Sequence, residues 1–116
     1  MYAGAVILMN KFGCTKLDRI MLAGAFGNYI DKKSGMLIGL YPDCDLENVV
    51  SIGNAAGEGA IMALLSKEKR EEAMRIARSV QYVELTLEED FEPEFMDAMY
   101  FPHRKDEFPH LKEIID

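Results

Sequence analysis

Apolar residues fill almost every position from 2 to 12 and stop at Gly13, the pattern of the last turns of a buried helix closed by a glycine C-cap. No capping residue stands ahead of this run, so the natural element is expected to begin upstream. Residues 17–23 are short and apolar and read as a buried strand that ends at Gly24. Asp31 is placed to cap a helix from Lys32 to about Leu40, which Pro42 and Asp43 close. Val49, Val50 and Ile52 form a second short strand, and Asn54 caps the helix after it. Strand, helix, strand, helix in this order predicts parallel pairing through a right-handed crossover, in a mixed α/β fold.

The helix expected over 55–65 is crowded with Ala and Gly on every side, which lowers its propensity but permits close packing, so it is expected to be buried. Residues 67–80 alternate at helical period, with Ala73, Ile76, Ala77 and Val80 on one stripe, and read as a solvated covering helix. Residues 82–85 read as a third strand, followed by a capping box of Thr86 and Glu89. Pro93 opens a last helix whose Phe91, Phe95 and Met99 recur every four residues. The division expected is a folded unit over 1–102 and an extended surface strap over 103–116, which holds both histidines, with two prolines in the run that starts at Pro102.

Composition narrows the function classes. The chain has 116 residues, of which 49% are hydrophobic and 28% charged, the size and balance of one globular domain. A net charge of −7 repels phosphate backbones, so nucleic acid and anionic membrane surfaces are not expected partners. The opening apolar run has no basic residue before Lys11 and is too short to span a bilayer. Two cysteines thirty residues apart, Cys14 and Cys44, fit a cytoplasmic protein with reduced thiols and are too few for a four-thiolate iron–sulfur cluster. With His103 and His110 they match no familiar zinc spacing, so no metal site is expected.

Candidate chemistry concentrates at the two strand exits. Gly24-Ala25-Phe26-Gly27-Asn28 and Gly53-Asn54-Ala55-Ala56-Gly57-Glu58-Gly59 both follow apolar runs, and glycine there lets the chain turn sharply while leaving amides bare to a ligand. The first exit reads as a nucleotide cradle or as a tight turn, with Phe26 stacking on a base or plugging the core. The second, spaced G-x-x-x-G-x-G, matches neither the dinucleotide fingerprint nor the P-loop and reads first as close helix packing or a hinge. Seven carboxylates between Glu84 and Asp97 read as a solvated face, because no calcium-loop pattern organises them. No nucleophile elbow or Ser-His-Asp set is present, so no catalytic residue is assigned.

Four ordered segments, residues 22–31, 38–42, 53–60 and 82–85, resemble the C-terminal domain of the reductive activators of corrinoid-dependent methyltransferases. The resemblance covers the chain from its first helix to Phe101-Pro102. It implies the C-terminal portion of an actin-like ATPase fold of the sugar kinase, chaperone and actin superfamily, related to ribonuclease H, behind an N-terminal ferredoxin-type module. Such activators use ATP to drive an electron onto cob(II)alamin and restore cob(I)alamin in a partner corrinoid protein or methyltransferase. By resemblance Gly24, Ala25, Phe26, Gly27 and Asn28 match the adenosine-binding turn, although the superfamily's paired glycines are here Gly24-Ala25. Gly53, Asn54 and Gly57 match the start of the second connecting helix beside the nucleotide cleft. ATP with magnesium is then the implied cofactor of the complete domain, and the cluster cysteines and phosphate hairpins lie upstream. The isolated piece is not expected to hydrolyse ATP. The rival readings are an interaction or homodimerising module that keeps the fold without the nucleotide, and a sugar- or acyl-kinase-like phosphotransferase fragment.

Overall fold

The computed structural model describes residues 1–115, apart from the side chains of Phe26 and Ile114. Helix α1 (Tyr2–Lys11) leads to strand β1 (Ile20–Leu22), α2 (Gly24–Tyr29) and α3 (Lys32–Leu37). A 3-10 turn (Leu46–Asn48) enters β2 (Val49–Ser51), after which come α4 (Ala55–Leu65), α5 (Lys67–Ser79), a second 3-10 turn (Leu85–Leu87), α6 (Phe91–Asp97) and α7 (Pro109–Ile115).

The expected parallel pairing is present: Ile20 stands beside Val49, Met21 beside Val50 and Leu22 beside Ser51. Both strands are three residues long, shorter than their apolar runs, and Met21 is 62% exposed. Glycine ends α1 as expected. Gly13 takes φ +65°, its N–H donates to Asn10 O, and Cys14 N–H reaches back to Met9 O, which satisfies two carbonyls of the last turn. The same arrangement stops α3 three residues before the expected boundary at Leu40. Gly39, at φ +64°, donates to Met36 O and Leu40 donates to Gly35 O. Asp31 caps α3 as read, its Oδ1 accepting from Ser34 N–H at 2.8 Å.

The core gathers Tyr2, Leu22, Met36, Tyr41, Cys44, Val49, Phe108 and Leu111. Its last two members overturn the expectation of a surface strap over 103–116. Phe108 and Leu111 are each 4% exposed, and α7 packs on α3. Pro109 does not keep the tail extended but opens α7, where a missing N–H costs nothing.

Residues 80–84 form no strand, and Tyr82 is 82% exposed. The expected alternation lacks a neighbouring strand to pair with among the described residues. Thr86 lies within the second 3-10 turn, where its hydroxyl donates to Glu84 Oε1, so the expected capping box is not made.

Helix α4 is the largest departure. None of its residues is buried, and Ile61, Met62, Leu64 and Leu65 stand 51–79% exposed. Helices α4 and α5 pack chiefly on each other, and Ser66 joins them, its Oγ accepting from Lys69 N–H at 3.2 Å. The pair extends the molecule to 49 × 33 × 21 Å and raises its radius of gyration to 16.5 Å, against about 13 Å for a compact domain of this size.

Candidate functional site at two glycine exits

The two glycine segments come together at the carboxyl ends of β1 and β2. Ile52 N–H extends the ladder by donating to Leu22 O at 2.9 Å, and Gly24 N–H then donates to Gly53 O at 2.8 Å. Gly24 and Gly53 both hold left-handed backbone, φ +82° and +71°, and a Cβ built on either meets nothing within 4 Å. Glycine is required there by conformation, and the space that a side chain would fill is open. In open α/β sheets the crevice outside the carboxyl ends of the strands is where ligands bind.

The remaining glycines do a different job. A Cβ on Gly27 would stand 2.7 Å from the carbonyl carbon of Leu22, so Gly27 is what lets α2 lie against the end of β1. A Cβ on Gly57 would stand 2.5 Å from Asn54 Nδ2, so Gly57 makes room for the carboxamide that caps its own helix. That cap is formed as read from the sequence, Asn54 Oδ1 accepting from Gly57 N–H at 3.0 Å. Ala25, Asn28 and Asn54 are exposed at the same edge, and Glu58 is exposed in the first turn of α4. Phe26's expected stacking role falls on a side chain outside the described residues.

Sequence reasoning missed Ser51. Its Oγ donates to Asn28 Oδ1, tying the end of β2 to α2, and a lone serine at a strand end carries no signal of such a bond.

It also missed a polar cluster under the C-terminal segment. Tyr2 donates its hydroxyl to Asp106 Oδ2 at 2.6 Å and stacks on His103 with centroids 4.8 Å apart. The backbone N–H groups of Asp106 and Lys105 point at His103 Nδ1 from 2.9 and 3.3 Å. An acceptor at Nδ1 puts the imidazole proton on Nε2, which lies 3.2 Å from Glu94 Oε1. Glu94, His103 and Asp106 are close enough to suggest a metal triad. With Nδ1 engaged by amides and Nε2 protonated, however, the ring has no lone pair to offer an ion. Burial, with the nearby Asp106 carboxylate, pushes the Glu94 carboxyl above its ordinary range, while Lys105, 2.5 Å away, holds Asp97 below it. Two of the seven acidic residues expected to face solvent are therefore built into the tail's anchorage.

Cys14 and Cys44 are both free thiols, Cys44 buried with its Sγ 3.6 Å from Leu17 O. A crevice of about 810 Å³ opens between α1, residues 14–17, Asp43 and α7, and it excludes both glycine exits. The candidate site is an open ledge and not an enclosed cavity.

A short parallel strand pair whose exits turn through left-handed glycines into helices is an α/β arrangement, and the comparisons with known proteins give its class as the actin-like, ASKHA domains. The family model described as the C-terminal domain of RACo, the ASKHA domain, matches residues 1–112, and the chain belongs to that family. A corrinoid activation enzyme, RamQ, of Eubacterium limosum is 40% identical over 102 residues, covering 85% of this chain and 17% of that protein. The solved structure of a reductive activator for corrinoid, iron-sulfur protein superposes with a TM-score of 0.77 at 36% identity, over 87% of this chain and 16% of that one. The chain thus spans about one sixth of the length of each.

Proposed function

We propose that this chain supplies one side of a nucleotide cleft in an ATP-dependent reductive activator of corrinoid proteins, working in the cytoplasm. The observation that carries the proposal is the pair of left-handed glycine exits held side by side by the Gly24–Gly53 hydrogen bond, with open space where both Cβ atoms would stand. The residues fit a nucleotide: Gly24, Ala25 and Asn28 from the first exit and Gly53 and Asn54 from the second would line it, while Gly27 and Gly57 bring the helices close enough to form the edge. Bound with magnesium, ATP would supply free energy for an uphill reduction of cob(II)alamin to cob(I)alamin in a corrinoid protein or methyltransferase partner. The names of the relatives support the corrinoid half of this reading. An iron–sulfur cluster does not fit this piece, whose two cysteines fall short of four thiolates.

Linkage sets what the chain must do. A nucleotide moves the equilibrium of the complex only by binding its reduction-competent arrangement more tightly than the other, so the ledge must meet a second surface in one arrangement and not in the other. The test mixes the full-length protein, a low-potential reductant and the partner corrinoid protein, and follows the cobalt absorbance with and without ATP. ATP-dependent appearance of the cob(I) spectrum is expected. Equal reduction without ATP, or phosphate transfer to a sugar or acyl acceptor instead, would overturn the proposal.

A further inference from the structure

The hydrogen bonds at the ledge have a polarity. Each of its two carboxamides has its oxygen occupied by the protein: Asn28 Oδ1 by the Ser51 hydroxyl, and Asn54 Oδ1 by Gly57 N–H. Neither amide nitrogen has a hydrogen-bond partner among the described residues. Both side chains are exposed, and they flank the same pair of bonded exits, Asn28 in α2 after Gly24 and Asn54 directly after Gly53. A carboxamide carries two donors on nitrogen and acceptors only on oxygen, so holding the oxygen to a protein donor turns the two amide hydrogens to the open side. Ser51 is what sets this for Asn28. It is the last residue of β2, in register with Leu22, and its hydroxyl crosses from one strand to the helix that follows the other.

We propose, resting on the nucleotide reading above, that Asn28 and Asn54 form a paired donor edge for hydrogen-bond acceptors of the bound nucleotide, and that Ser51 is the positioning residue that keeps Asn28 in its donor orientation. The groups such an edge takes are those with lone pairs and no proton to give: unprotonated ring nitrogens of a purine, or phosphate oxygens. It discriminates against ligand edges that are themselves donors, because two facing N–H groups repel and leave both unpaired.

The experiment measures affinity of the full-length protein for a non-hydrolysable ATP analogue, together with thermal stability, for four variants. Asn54→Ser keeps a neutral side-chain acceptor for the helix cap and removes the amide donor. Ser51→Ala frees Asn28 to flip, Ser51→Thr restores the hydroxyl on a strand-compatible side chain, and Asn28→Ser replaces the second amide's two donors by a single hydroxyl on a shorter side chain. Asn54→Ser and Asn28→Ser are expected to bind about fivefold to tenfold more weakly with little change in melting temperature, and Ser51→Ala about threefold to fivefold more weakly. Ser51→Thr is expected to recover the affinity of the parent. Unchanged affinity in Asn54→Ser and Ser51→Ala, beside normal binding by the parent, would overturn this inference alone. Failure of the parent to bind the analogue would overturn the nucleotide reading and the inference with it.

Discussion

Four glycines at the ledge look alike in sequence and are not alike in physics. Gly24 and Gly53 are glycine for their backbone conformation and face open space, whereas Gly27 and Gly57 are glycine because another atom occupies the place of a Cβ. Alanine substitution separates the two kinds. Gly24→Ala is expected to cost about 1–2 kcal/mol, the penalty of left-handed backbone for a residue with a Cβ. Gly27→Ala drives a methyl group to 2.7 Å from the backbone of Leu22, so it is expected to cost about 2–3 kcal/mol as an overpacked contact. Urea denaturation of both variants checks the order, and a Gly27→Ala cost below that of Gly24→Ala would contradict it. The Asp31 and Asn54 caps were legible because a cap is a local bond between residues three apart. The Ser51–Asn28 bond was not, because its partners are 23 residues apart and meet only once the strands are paired.

At the scale of elements, α3 and the two strands followed from local pattern, and the third strand and the tail did not. A strand needs a neighbour, and residues 82–85 have the alternation without a strand partner among the described residues. The tail's prolines and charges argued for an extended strap, but its energetics come from Phe108 and Leu111 in the core and from Tyr2, Glu94, His103 and Asp106 beneath it. Glu94 and the nearby Asp97 make stability depend on pH with opposite signs. Glu94 is raised when folded, so its contribution is fully present below the ordinary carboxylate range and is lost as pH rises through its folded value. Asp97 is lowered by Lys105, so its contribution is present above the ordinary range and is lost as pH falls through its folded value. Glu94→Gln removes the cost of a desolvated charge at nearly the same side-chain shape. It is expected to raise the melting temperature by about 2–4 °C at pH 8, with the gain shrinking toward pH 4. A gain that grows as pH falls would contradict the assignment.

For the whole molecule, the class was legible in four ordered segments, and the family match over residues 1–112 agrees with it. The burial of α4 was misjudged from the sequence. Small and apolar residues at 55–65 signal close packing, but a signal of packing does not say that the packing partner is within the same 116 residues, and here α4 leans chiefly on the exposed α5. The projecting pair begins directly after Asn54, inside the ledge itself, so the exposed apolar residues of α4 adjoin the candidate site.

The central claim is that the paired glycine exits contact a nucleotide. Ala25 is exposed in α2 between the two glycines of the first exit and carries no backbone constraint, so Ala25→Leu places bulk on the ledge while preserving helix propensity. Calorimetric titration of the full-length protein with magnesium and a non-hydrolysable ATP analogue is expected to give saturable binding that Ala25→Leu weakens at least about tenfold, or about 1.4 kcal/mol, at unchanged melting temperature. No binding by the parent protein, or equal affinity in the two, would contradict the account.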